Sequence, residues 1–361
     1  MRAVSEQPAL QSIDAVLCRV AEQALPLGPF EPKNAVEEKE RFSSDIKYNP
    51  QFQYEAQDRD GLERSLAEVE RLEFSPYGVG LFFHQAKTYL AARLLLRLSL
   101  GQNEIWEVPL YQPPPPHVIN LARRLLTAPA APAPVVIRSF GADEQERLIR
   151  TRLAEYGFTD WKVIVRPNIS AMNTDPANRI VNIRADSRYT IEELKRNVVH
   201  EVDTHVLRAV NGDHQDHRIF AVGAIPSYMT TEEGLAVINE ERMRYVDAER
   251  TRMFAARVVA SARALQAGFA EVYAELRDYR FSHDEAWVIT KRVKRGLGDT
   301  ACSGGYVKDH VYLWGRLLVE EFVLGGGDLK NLYVGKIAIE HIPLFGQLGL
   351  RPAKILPLPY L

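Results

Sequence analysis

Residues 197–212 read "NVVHEVDTHVLRAVNG". The stretch holds two histidines, His200 and His205, with Glu201 directly behind the first. Zinc-binding helices usually read His-Glu-x-x-His, which puts both imidazoles on one face. Here the separation is five, and residues five apart on a regular α-helix diverge by roughly 140°. An ordinary helix would therefore leave one histidine packed and the other exposed. Two local structures bring them back together. One is a single-turn π-bulge, a defect found at functional sites; the other is a helix ending near Thr204, with His205 swinging in from a turn. Glu201 favours the metal reading, because a carboxylate there can act as general base on a water at the ion.

A zinc site needs a third protein ligand. Downstream, "TTEEGLAVINEE" at 230–241 opens a helix with acids. Glu233 is the candidate ligand and Glu232 its alternative, although Thr231, Glu232 and Glu233 also suit an ordinary cap and first turn. Glu240 lies two turns beyond Glu233 on the same face, placed for a ligand histidine or for a surface ion pair. Asp203 has the same choice between a histidine and solvent. His214 and His217, in "NGDHQDHR", read as solvated loop residues.

Working outward, the pattern around this stretch is α/β. "PVVIRSFG" (134–141), "WKVIVRP" (161–167) and "NRIVNIR" (178–184) predict strands. The amphipathic "DEQERLIRTRLAEYG" separates the first two and ends at Gly157. Before residue 130 the periodicity is helical, in "LERSLAEVERLEF", "HQAKTYLAARLLLRLSLG" and "HVINLARRLL". Proline-rich runs at 111–116 and 127–134 punctuate it. Beyond 230 the chain is again helical, broken by "RGLGDTACSGGY" and "LGGGDLKN". The expected architecture is α+β: a mostly helical, zincin-like metallopeptidase core with a small β-sheet. Residues 131–361 would form that catalytic domain, and residues 1–130 a helical layer packing on it.

Composition sets the broader limits. A net charge of -2 over 361 residues lacks the basic surplus of a nucleic-acid binder. Cys18 and Cys302 have no metal-ligand or disulfide-framework spacing, which predicts a reducing, cytoplasmic setting. The opening segment has no apolar core of a secretory signal, and no 18-residue stretch is free of charge, so no membrane partner is expected.

"HEVDTH", the following Asn211-Gly212 and "TEEGLAVINE" resemble the tyrosine/phenylalanine carboxypeptidase family. That family includes the microtubule-associated tyrosine carboxypeptidases of animals and bacterial QEGLA-motif proteins. "PKNAVEEKERF", "NPQFQY", "KRVKRGLGD", "GGYVKDHVYLWG" and "GKIAIEHIPLFGQLG" extend the resemblance over roughly residues 28–358. It implies one Zn²⁺ per chain held by His200, His205 and Glu233, with Glu201 as the catalytic acid–base. It further implies a peptide or protein C-terminal tail as substrate and release of its final Tyr or Phe. Glu232 departs from the bacterial Gln, and Asp203 from the animal Gly.

A carboxypeptidase must also bind a terminal carboxylate, for which arginine's fork is best suited. Arg292, Arg295 and Arg316 are candidates, with Lys308 a point-charge alternative, although "TKRVKRG" also reads as a solvated basic face. Tyr312 and Tyr306 could touch the substrate or simply pack a helix start. "SAMNTDPANRIVNI" suits an edge strand that pairs with substrate backbone, with Asn173 near the cleft. Two other classes fit the residues: a non-catalytic regulator that binds a partner tail, and a zinc hydrolase of small non-peptide substrates.

Overall fold

The structure is a computed structural model that describes residues 3–75, 77–103, 110–128, 137–167 and 172–358. Helices α1 (Ala3–Ala24), α2 (Ala35–Ser44), α3 (Arg59–Glu70), α4 (Val79–Leu98) and α5 (Pro116–Thr127) precede α6 (Ala142–Glu155). Strands β1 (Lys162–Arg166), β2 (Asn173–Asp175) and β3 (Ile180–Arg184) follow. They form one sheet of order β1-β3-β2, with β3 parallel to β1 and antiparallel to β2. Next come α7 (Ile191–His200), α8 (Leu207–Asp213), α9 (Ile219–Val222) and α10 (Pro226–Arg242). The chain then runs through α11 (Ala248–Ala264), α12 (Phe269–Asp278), α13 (His283–Lys294), α14 (Val311–Leu324) and the short α15 (Phe345–Leu348). A mostly helical molecule with one small sheet is an α+β architecture. Among the described residues, no helix is long and apolar enough to cross a membrane.

Sequence patterns for α6, β1 and β3 reappear as elements, but the described residues of the first predicted strand, 137–141, form none. Residues 134–136 of it, and the boundary placed near 130, lie outside the described residues. Only Phe140 pairs, in an isolated bridge with Tyr189. The strand has no room to grow, because Glu144 already caps the Gly141 N–H and starts α6 one residue later. The third strand comes instead from Asn173–Asp175, inside the stretch read as a substrate-pairing edge.

Three packing centres place the site. Under the sheet, Ile149 and Leu153 of α6 meet Val163, Val181 and Ile183, and then Val202, Val206 and Leu235 below the histidines. Phe42, Phe52 and α5 residues Val118 and Ala122 share a second core with α11–α13, where Phe42 stands edge-on to Phe269 and Tyr273. Leu17, Phe82, Phe83 and Leu90 pack with Ile219, Phe220 and Val334 in a third. The N-terminal helices are thus built into the cores that carry the later elements.

The closest approach is between α10 and α14. A Cβ on Gly234 would lie 2.2 Å from the Gly315 carbonyl, and one on Gly315 would lie 1.9 Å from the Thr230 oxygen. Only backbone fits between the two helices. This contact sets Glu233 beside the first turn of α14, where Tyr312 stands. Gly234→Ala or Gly315→Ala should therefore destabilise the fold by about 1–3 kcal/mol or more, measured by urea denaturation. A variant as stable as the wild type would mean the helices can separate freely.

Candidate metal centre and its cavity

Residues Glu201–Val206 form a single π-helical turn between α7 and α8. It absorbs the extra residue between the histidines and returns both rings to one face. Their centroids are 4.7 Å apart, and the rings are nearly perpendicular at 88°. The chain remains helical to Asp213, so the alternative of a helix ending near Thr204 is not adopted.

Contacts from three directions hold this turn. Thr204 Oγ1 donates to the Val199 carbonyl at 3.1 Å and accepts from Asn239 Nδ2 at 2.8 Å. Asp203 is fully buried, so the solvent-facing option fails. Its carboxylate accepts from Arg152 Nε at 2.8 Å, Arg152 Nη2 at 3.2 Å and the Tyr156 hydroxyl at 2.7 Å, tying the turn to α6. The Tyr156 oxygen in turn accepts the Leu358 N–H at 2.9 Å.

On the inner face, His200 Nε2 lies 3.3 Å from Glu233 Oε2 and His205 Nε2 lies 3.9 Å from the same oxygen. That oxygen is buried and accepts no hydrogen bond from the described residues. Tetrahedral zinc with legs of ~2.0–2.1 Å has ligands about 3.3–3.4 Å apart, so the three atoms bracket a space that fits such an ion. Glu201 is also close: His200, Glu201 and His205 offer ligand atoms within 4.8 Å of one another. Its Oε2, however, accepts from Thr174 Oγ1 on β2 at 2.7 Å. Of the two carboxylates, Glu233 has the bare oxygen.

The outer ring nitrogens are occupied. His200 Nδ1 is 2.7 Å from Glu240 Oε1, and Arg250 donates to both Glu240 oxygens at 2.6 Å. Glu240 is fully buried, which removes its surface alternative. His205 Nδ1 is 2.8 Å from Glu232 Oε1, and Glu232 is also bonded by Arg208 and Lys336. Carboxylates behind histidines in this way fix the tautomer and turn Nε2 inward. Burial opposes charge on His200, but Glu233 and Glu240 outweigh it and carry the imidazole up to about 10. Burial would raise Glu233 as well; contact with the histidines instead brings it down to about 2. The cluster draws positive charge, and its imidazole and carboxylate donors suit a borderline divalent ion.

The centre opens into a cavity of about 420 Å³, within the ~300–1,000 Å³ typical of small-ligand sites. Tyr312, Tyr306, Lys308, Arg292 and Asn173 all line it, as does Arg295. The Tyr312 ring is 6.5 Å from His200 and stacks on Phe254, and the Arg257 guanidinium also lies over it. Burial, with Glu233 adding, pushes its phenol well above the ordinary value, so it stays a proton donor. Tyr306 sits deeper, in a hydroxyl chain with Tyr111 (3.1 Å) and Tyr89 (2.9 Å), bonded also by Arg93.

Arg316 is a correction: it lies off the cavity and donates to Glu241 and Glu320. One helical turn past Tyr312, about 6 Å along the axis, α14 has passed the cavity and runs beside the end of α10. His214 is exposed as read, whereas His217 is half-buried edge-on to Phe83. Sequence reasoning did not find Thr174, Arg93 or Tyr111. Thr174 lies in the stretch read as an edge strand, and the other two come from helical or proline-rich segments with no local signal.

A family model described as microtubule-associated tyrosine carboxypeptidase matches residues 39–354. Among individual relatives, the human microtubule-associated tyrosine carboxypeptidase 1 is 29% identical over 170 residues, 45% of this chain and 34% of its own length. The rat protein of the same name is 26% identical over 333 residues, 86% of this chain and 60% of its own. The chain therefore matches less than two thirds of either relative.

The two neighbouring acids separate in metal-free protein. Glu232→Ala strands Arg208 and Lys336 in the interior and should cost about 3–5 kcal/mol of unfolding stability. Glu233→Ala removes an acid from a cluster already rich in them and should cost clearly less. Urea denaturation of both apo variants checks the order; the reverse order would exchange the roles of the two residues.

Proposed function

The chain belongs to the microtubule-associated tyrosine carboxypeptidase family, and from that premise we propose that it is a zinc metallocarboxypeptidase that removes a C-terminal aromatic residue. The ligands would be His200, His205 and Glu233. The observation that carries this reading is a juxtaposition in one cavity. At the centre, the bare Glu233 oxygen faces two inward Nε2 atoms. On the same cavity wall, the terminal nitrogens of Arg292 and Nζ of Lys308 donate to no protein group among the described residues. Unused donors on enclosed cations suit an anion from outside, and the terminal carboxylate of a peptide tail is such an anion.

A bound zinc would polarise the scissile carbonyl and activate a water. Glu201, steadied through Oε2 by Thr174, takes a proton from the attacking water and passes it to the leaving nitrogen. Tyr312 donates to the oxygen of the reacting carbonyl. Asn173 and the rest of β2 align the substrate backbone as an added strand, while Arg292 and Lys308 hold the carboxylate. Tyr89, Tyr111, Tyr228 and Met229, all on the cavity wall, give an aromatic side chain apolar faces to pack against. We place the protein in the cytoplasm, where Cys18 and Cys302, both free thiols, stay reduced.

Elemental analysis of purified protein should find about one zinc per chain, largely lost in His205→Ala. Absence of metal from the wild type would remove the premise of the chemistry. Peptides ending in free Tyr or Phe should release that residue, followed by chromatography. Glu201→Gln should keep its zinc while turnover falls about 10²–10⁴-fold. Zinc retained by a wild type that cleaves no tail would support the regulator instead.

A further inference from the structure

Asp309 has no part in the chemistry above and does not line the cavity, yet two residues that do are tied to it. It belongs to the short 3₁₀ turn Lys308–His310 that leads into α14 and is only 1% exposed. Oδ2 accepts from Arg292 Nε; Oδ1 lies 3.6 Å from Lys308 Nζ and accepts no hydrogen bond. Arg292 is thus gripped by the nitrogen nearest its stem, and its terminal nitrogens are left over. Lys308 is attracted to the same acid from the adjacent position. Burial would raise Asp309, but Arg292 and Lys308 hold it well below the usual carboxylate range, so it remains an anion.

Charge around this acid does not balance. Arg257 is near enough to feel the charges of both Arg292 and Asp309. Glu31 is paired with Arg295 and Lys291 and reaches Arg292 only through space, as Glu233 does Lys308. Asp309 is therefore the one acid in direct contact with both Arg292 and Lys308 among the described residues, with Arg257 and Arg295 also within reach of its charge. It offsets their mutual repulsion enough to keep two of them side by side, but not enough to neutralise them.

We propose that Asp309 is a positioning residue that aligns Arg292 and Lys308 as a two-cation clamp for the terminal carboxylate of the substrate, a role that rests on the carboxypeptidase reading above. Without its charge, Arg292 loses its tether and the two cations repel. The clamp would then lose its geometry while both positive charges remain.

The test uses zinc-loaded protein and a peptide ending in tyrosine, prepared as the free acid and as the C-terminal amide. Calorimetry in the Glu201→Gln background should show the acid binding at least about 10-fold tighter than the amide. Asp309→Asn should erase most of that preference, and so should Arg292→Lys, which keeps the charge but loses the tethered Nε. With Glu201 intact, either change should raise KM for the acid by about 10–100-fold and leave kcat within about threefold, a split that a general structural defect would not produce. If Asp309→Asn does not unfold cooperatively, Arg292→Lys alone decides. Preference for the acid retained in the variants would overturn the role of Asp309 and leave the carboxypeptidase reading standing. A parent that binds acid and amide alike, or neither, would overturn both.

Discussion

A step of five from one histidine to the next makes the two rings diverge on an α-helix, and the π turn at 201–206 brings them back to one face. A wider turn gives up regular hydrogen bonding and persists only where its surroundings hold it. Here they do so from three sides. Asp203 is bound by Arg152 on α6 and by Tyr156 just past its end, Thr204 by Asn239 on α10, and Glu201 by Thr174 on β2. The surrounding elements meet at this turn: α6 supplies Arg152 behind it, β2 reaches Glu201, and α10 brings Glu232 and Glu233 to the histidine rings.

Charge is arranged in layers around the same point. The histidines have acids behind them, and the acids have cations behind them: Arg250 on Glu240, Arg208 and Lys336 on Glu232. Alternation of sign lets ionised groups remain in the interior, because each desolvation cost is met by an adjacent opposite charge. The alternation breaks at the inner face of the cluster, where Glu233 presents an unshared oxygen, and around Arg292 and Lys308 on the cavity wall, where cations outnumber acids. Those two imbalances have opposite sign. They give one cavity both an acidic and a basic pole.

Much of this was legible in the residues. The histidine pair, the adjacent Glu201 and the acid-rich opening of α10 all lie in contiguous, patterned stretches, and spacing alone narrows the local structure to a π turn or a helix end near Thr204. The choice of Glu233 over Glu232 rests on the family resemblance and not on local pattern, because the partners that set Glu232 apart, Arg208 and Lys336, come from α8 and from a loop more than a hundred residues on. Asp203 reads from the sequence as either a partner of a ligand histidine or a solvent-facing acid, and is instead an anchor to α6, because Arg152 is remote in sequence. Arg316 lies in the same family-like C-terminal stretch as Arg292, but its place along α14 takes it past the cavity. Elements with their own periodicity were visible, then, and long-range pairing was not.

The hydroxyl of Tyr156 has a consequence for how the molecule comes into being. It steadies Asp203 on one side and receives the backbone of Leu358 on the other. Residues far apart in synthesis therefore meet behind the histidines, and the turn is not fully braced until the chain has been made as far as residue 358. A growing chain on the ribosome already has both histidines long before that support exists. The last brace of this cluster thus comes from the final stretch of the described chain, long after the histidines themselves.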